Sequence, residues 1–217
     1  MARRARVSPE RILAAAALEF AARGYAGARV DRIARRARVN KAMLYYHFKS
    51  KEELYRTLLR QTFTQAGERL RAIAQSEAAP ADKLDRVIEA VAGFVRDYSF
   101  FPAIMLREIA EGGARLDRST LGALATLPAA FGAVVGQGIA AGTFRAVHPM
   151  AAYFSVFAPI VFFLAGSAIR RELTEQHLVK DAAMAPEAFV AYMQESMRRA
   201  LSADFEPAAP QGRRRSS

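Results

Sequence analysis

The 217-residue chain contains no cysteine. Disulfides, thiolate metal sites and cysteine nucleophiles are thereby excluded, which fits a reducing cytoplasm. Histidine is nearly as scarce: His47, His148 and His177 are widely separated, without the H-E-x-x-H or H-x-x-E spacing that makes a metal site. No G-x-x-x-x-G-K-[ST] phosphate loop occurs, and the run from Gly132 to Gly138 lacks the preceding strand that a dinucleotide site needs. The paired Glu52 and Glu53 are explained by the preference of helix N-termini for acidic residues. Nothing nominates a nucleophile, so the expectation is a non-enzyme that uses no cofactor and no metal. Sustained period-two alternation is also missing, so strands are not expected.

Positive charge, by contrast, is abundant and segregated. Residues 1–60 hold 15 Lys and Arg against 5 Asp and Glu, residues 61–209 hold 14 against 16, and the tail supplies the remaining three arginines of a net +11. A merely solubilising surface would not segregate in this way. Concentration of the cations in one segment is the footprint of a protein that gains affinity by releasing counterions from phosphates.

Within the basic segment, residues 30 to 53 read as two short helices joined by a tight turn. Val30, Ile33, Ala34 and Ala37 follow the i, i+3, i+4, i+7 spacing of a buried stripe, leaving Asp31, Arg32, Arg35 and Arg36 outward. Arg38 and Val39 make the turn. Asn40 is placed to cap a second helix, Lys41 to His47, in which Leu44, with Phe48 beyond, points inward and Lys41, Ala42, Met43, Tyr45, Tyr46 and His47 surround the exposed sides. Ser50-Lys51-Glu52-Glu53 fits a capping box that opens a third helix, with Lys51 free to point at a phosphate. This is the layout of a helix-turn-helix reader of double-stranded DNA.

The stretch from about Pro9 to Leu58 resembles the N-terminal domain of the TetR/AcrR family of bacterial transcriptional regulators. The resemblance rests on Ile12 to Phe20 followed by Gly24-Tyr25, Val30 with Ile33-Ala34, Val39-Asn40-Lys41, Leu44 to Phe48, and Ser50-Lys51-Glu52 before Leu54, in order and at the right spacing. It implies that Lys41 to His47 is the recognition helix, with base contacts from Lys41, Ala42, Met43, Tyr46 and His47 and phosphate contacts from Arg29, Tyr45 and Lys51. Two positions depart from the family pattern. Arg38 stands where glycine is usual, so the turn is built differently or mildly strained. Arg29 stands where Ser or Thr is usual, which removes a helix cap and adds a cation.

The chain is thus expected to be all-α: a basic arm at 1–8, a helix-turn-helix domain at 9–60 with the motif itself at about 30–49, a helical ligand-binding and dimerisation domain at 61–204, and a flexible basic tail at 205–217. The arm reads equally as a minor-groove or phosphate contact and as a solvated tail. Ser8-Pro9 starts a helix, and Glu10, Arg11 and Glu19 interrupt any signal-peptide core. Further helices are expected at 51–75, 81–97, 103–111, 119–141, 149–172 and 186–202, with Pro128 and Pro159 kinking or dividing theirs.

Residues 146–169 carry no Lys, Arg, Asp or Glu. The length suits a membrane span, and a basic peripheral membrane or scaffold protein is the alternative reading. Yet His148, Pro149, Ser155, Pro159, Gly166 and Ser167 interrupt it. A helix apolar all round also arises when one side packs on the core and the other on a second subunit. The resemblance implies a homodimer through about 149–172 and 186–202, and a small-molecule effector inside the second domain that alters the spacing of two DNA-reading heads. Candidate effector contacts are Phe94, Phe101, Met105, Arg107, Glu108, Phe131 and Phe157, with His148 a further polar candidate; any one aromatic is also explained as ordinary core. Gly132, Gly136 and Gly138 are expected to let helices approach closely. The reading is a cytoplasmic, ligand-responsive repressor at a palindromic operator.

Overall fold

The computed structural model describes residues 8–179 and 184–204. Among them the chain forms ten helices and no strand: α1 Pro9–Gly27, α2 Val30–Arg36, α3 Lys41–His47, α4 Lys51–Gln75, α5 Pro80–Asp97, α6 Phe101–Ala110, α7 Arg118–Ala140, α8 Pro149–Ala165, α9 Ser167–Glu175 and α10 Pro186–Leu201. The anticipated arm, apart from Ser8, and the anticipated tail lie outside the described residues.

The N-terminal head is held by side chains chosen at helical spacing. Ile12 and Phe20 of α1, Ile33 of α2 and Leu44 of α3 are fully buried against Leu54 of α4. Proline opens α1 at the position where its missing N–H has no helical partner to lose. Near its end Gly24 adopts φ 66°, ψ 176°, a conformation essentially closed to residues with a Cβ. The kink turns Tyr25 back onto the ring of Phe20 and the edge of Tyr55. The chain then runs through α2 and α3 into α4, which passes unbroken through residue 60, where the charge changes sign, and enters the second half of the molecule.

There α4 lies against α7 at a distance only glycine permits. A Cβ at Gly67 would stand 2.1 Å from Thr126 Oγ1. At the other end of α7 a Cβ on Gly138 would fall 1.9 Å from the ring of Phe144. Gly132 and Gly136 do not share this role, since a Cβ at Gly132 would make an ordinary 3.7 Å contact and one at Gly136 would meet nothing within 4 Å. The apolar residues of α4, α5, α7, α8 and α10 continue the head's core into a single cluster.

One expectation about helix continuity is corrected. The helix anticipated over 149–172 is two helices, α8 and α9, bent by 52°. Arg170 pins the bend: its guanidinium donates to the carbonyl of Phe163 and lies 3.6 Å from the centre of that ring, satisfying the end of α8 as cations at helix C-termini do. Pro128 and Pro159 lie inside α7 and α8 and end neither.

The uncharged stretch 146–169 therefore forms no straight span. Ala152, Tyr153, Val156 and Ile160 face the core, while Phe154 and Phe162 are 58% and 72% exposed. α7 has the length and apolar composition to cross a membrane. It lies instead along α4 with Leu127, Phe131, Val134 and Val135 buried, so the membrane or scaffold reading is not favoured.

Candidate nucleic-acid interface and adjoining cavity

The geometry of α3 begins at Asn40, whose side-chain oxygen accepts the Met43 N–H at 2.7 Å and so satisfies a donor the helix cannot. Leu44 is fully buried and Phe48 nearly so, which fixes the helix rotation. Lys41, Ala42, Met43, Tyr45 and Tyr46 consequently face outward, Tyr46 most of all at 82% exposed, and His47 is half-buried with Tyr46 edge-on to its ring. The Lys41 ammonium lies 2.9 Å from Asp31 of α2. Their hydrogen bond lowers the Asp31 pKa and raises that of Lys41.

The two departures from the family pattern have visible consequences. Arg38 takes φ 52°, the left-handed conformation that a glycine would occupy without strain. The turn still closes, with Val39 N–H on Ala34 O at 2.9 Å. Arg29 occupies the cap position of α2 but offers no side-chain cap; its own N–H donates to Glu19 at 3.4 Å, and its side chain is exposed.

Lys51 is placed differently from the expectation. Its ammonium donates to the carbonyls of Ala28 at 3.1 Å and Ala26 at 3.5 Å, and lies 4.5 Å from the centre of the Tyr25 ring. The kinked end of α1 leaves carbonyls unpaired, and the lysine satisfies them rather than standing free. The capping box is also altered: Ser50 accepts from Glu53 N–H at 3.0 Å, but Glu53 returns its carboxylate to Lys49 N–H at 3.2 Å, not to Ser50.

In the second half of the molecule a cavity of about 780 Å³ opens among α4, α5, α6, α7 and α8. Phe94, Phe101, Met105 and Phe157 line it. Phe131 does not: it is fully buried behind the wall, edge-on to Tyr153 and Phe157. His148 also stands apart, as the cap residue of α8. Reading from sequence missed Arg69, the single charged residue of the lining, whose guanidinium pairs with Asp97 at 2.9 Å. Tyr153 lines the cavity as well, and burial pushes its hydroxyl pKa up to about 12. Pro128 and Pro159 both face the cavity, so the two prolines inside helices were the sequence signal for its wall.

Arg107 and Glu108 are corrected most sharply. Neither lines the cavity: Arg107 leaves α6 on the opposite face, Glu108 on its flank, and both reach the head. Arg107 donates to the carbonyls of Phe20, at 3.3 Å, and Ala21 in α1. Glu108, only 2% exposed, accepts from Tyr55 Oη at 2.7 Å and Arg115 at 3.3 Å. Arg115 in turn lies 4.6 Å from the centre of the Tyr25 ring. A helix of ten residues thus lines the cavity with Phe101, Met105, Leu106 and Ile109 and grips α1 and α4 with its other face. No group of three or more potential metal ligands occurs among the described residues.

Residues 12–58 match the family model for bacterial regulatory proteins of the tetR family. The chain is 51% identical to the HTH-type transcriptional repressor SCO4008 of Streptomyces coelicolor over 49 residues, which is 23% of this chain and spans only 26% of that repressor. A longer match, 29% identical over 171 residues, covers 75% of this chain and 80% of the HTH-type transcriptional regulator RutR of Escherichia coli K12. The fold is that of the transcriptional regulator FadR of Bacillus subtilis, solved in complex with stearoyl-CoA, with TM-score 0.68, 19% identity, and coverage of 88% of this chain and 97% of that one. A capped, outward-facing second helix, a head continuous with a helical core, and matches that run from the head into that core agree with one another: residues 12–58 are an N-terminal domain of the tetR family of bacterial regulatory proteins, and the chain as a whole resembles regulators of that family.

Proposed function

We propose that this protein is a cytoplasmic, homodimeric repressor that reads an inverted-repeat operator with α3 and releases it when a largely apolar small molecule enters the cavity. The observation that carries the reading is the position of α6, which lines the cavity with one face and holds the DNA-reading head with the other. A ligand that reshapes the α6 wall acts on the same helix that positions α1 and α4. A coupling free energy of about 1 to 3 kcal/mol between the two sites changes DNA affinity roughly 5- to 150-fold.

In this reading Lys41, Ala42, Met43, Tyr46 and His47 meet base edges, and Arg29 and Tyr45 meet phosphates. Lys51 reaches a phosphate only with the one ammonium proton left over from Ala26 and Ala28. The division into a reading head at 9–60 and a ligand and dimer domain at 61–204 is one of function, since α4 belongs to both. The exposed apolar side chains of α8 and α10, among them Phe154, Phe162 and Tyr192, supply the surface for a second copy. Two heads then meet successive major grooves roughly 34 Å apart. The effector is apolar over most of its body, with Arg69 at hand for one polar or anionic group. Of the stearoyl-CoA seen with the Bacillus relative, only the stearoyl chain has that apolar chemistry.

Selection of the purified protein against a random duplex library at near-physiological salt tests the reading. An enriched inverted repeat supports a sequence-specific dimer. Retention of duplexes without a shared motif, vanishing as salt rises, overturns it.

A further inference from the structure

The surface of the head holds a second concentration of charge that the recognition helix does not use. Arg23 of α1 and Arg32, Arg35 and Arg36 of α2 surround a depression of about 370 Å³ with Glu19 at its base. The Glu19 side chain is 5% exposed and shared between two guanidiniums, Arg23 at 3.5 Å and Arg32 at 3.6 Å. Arg35 and Arg36 are exposed, and among the described residues their side chains make no ion pair or hydrogen bond. One carboxylate therefore stands against four guanidiniums, leaving a surplus of three positive charges in a concave site.

The position of this groove follows from the helix period. On α2, Asp31 points toward α3 and is paired with Lys41. Arg32 and Arg36, one turn apart, lie on the other flank, against α1. The groove thus opens on the α1 flank of α2 at Arg32 and Arg36, with Arg35, one turn from Asp31, on the rim nearer α3. Glu19 holds Arg23 and Arg32 in place, and the exposed guanidiniums of Arg35 and Arg36 at the rim present the planar fork that matches phosphate oxygens two at a time.

We propose that the groove between α1 and α2 binds phosphate groups at a site separate from the recognition helix. The phosphates come either from DNA backbone beyond the groove that α3 enters, which rests on the reading of the head as a DNA binder, or from a free polyphosphate. In helix-turn-helix docking the first helix crosses the backbone while the second enters the major groove, so the outer flank of α2 is well placed for further phosphates of the same duplex.

The test uses the full chain, the double variant Arg35→Gln/Arg36→Gln, and a charge-matched control, Arg171→Gln/Arg199→Gln, on the second half of the molecule. Binding to a short duplex of mixed sequence is followed as a function of salt, and pyrophosphate is titrated calorimetrically. A fall in the salt slope of about 1.8 in the double variant, with the control unchanged, assigns the groove to DNA backbone. An unchanged slope with pyrophosphate binding that disappears in the double variant assigns it to a free polyphosphate. If neither quantity moves, the proposal is overturned. A parent protein without duplex affinity sinks the DNA reading of the head, and the pyrophosphate titration then decides the groove by itself.

Discussion

Tyr55 of α4 donates its hydroxyl to Glu108 of α6 across 2.7 Å, in a site where Glu108 is 2% exposed. The pair joins the helix that leaves the head to the helix that lines the cavity. The second oxygen of Glu108 has no hydrogen-bond partner among the described residues, so Tyr55 and Arg115 together carry the whole desolvation of this carboxylate. Tyr55→Phe should therefore lower stability by about 2 kcal/mol, the range for a buried hydrogen bond to a charged group. Urea unfolding checks this: the midpoint should fall with an unchanged slope, and a midpoint equal to the parent's would refute the role.

The same region makes the fold sensitive to alkali. Burial, then the bond to Glu108, raises the Tyr55 pKa far above the ordinary tyrosine range, and burial takes Tyr153 to about 12. A folded-state pKa above the unfolded value of about 10 means that stability is fully present below pH ~10 and is lost as pH rises through the folded pKa. Ultraviolet titration of phenolate should show one late tyrosine fewer in Tyr153→Phe than in the parent. Stability should begin to fall between pH ~10 and pH ~12.

Close helix approach predicts opposite signs for one substitution at three glycines. Gly67→Ala and Gly138→Ala place a methyl against Thr126 and Phe144 and should destabilise by about 1 to 3 kcal/mol. Gly136→Ala meets open space in the middle of α7 and should stabilise by up to about 1 kcal/mol through helix propensity. Thermal melts of the three variants decide the matter, and uniform destabilisation would contradict the packing described.

Arg38 offers a gain of stability from the turn itself. Its left-handed backbone carries a strain of about 1 kcal/mol that glycine does not share. Arg38→Gly should raise the melting temperature, and a lower one would mean that the arginine side chain contributes more than its backbone conformation costs.

The cavity can be made to report its own occupation, because the chain has no tryptophan. Met105→Trp places a single indole in the α6 wall. Titration with dodecanol, a neutral apolar probe, should shift its emission to a saturating limit, and the shift should weaken when Leu127→Arg puts a charge into the lining. Absence of any saturable shift would argue against an apolar effector site.

Helix starts were legible because their causes are local. Asn40, Ser50 and Asp117 each cap the helix that follows, and Pro9, Pro80, Pro149 and Pro186 each open one. The inward anchors Ile33, Leu44 and Leu54 followed from the helical period alone. What was not legible depends on partners distant in the chain. Gly67 reads as a mild helix weakness until Thr126 is brought to it. Lys51 reads as a free cation until the kink at Gly24 presents two carbonyls. Arg107 and Glu108 look like pocket residues because α6 has a polar and an apolar side, yet nothing local says that the polar side meets the head. Arg170 likewise decides the bend between α8 and α9 only once it can reach back to Phe163.

The unbroken course of α4 has a mechanical meaning. A helix of 25 residues is a stiff beam about 37 Å long. It touches the cavity at Ala66, Arg69 and Leu70 and the head at Leu54 and Tyr55. The beam has no proline and no internal break at which a deflection could be absorbed. A rotation of about 5° at Arg69 therefore displaces Leu54, about 22 Å along the helix, by roughly 2 Å, more than the rise of one residue. In the proposed reading, small changes in the volume of a greasy hole become by leverage a misfit that a rigid double helix cannot follow.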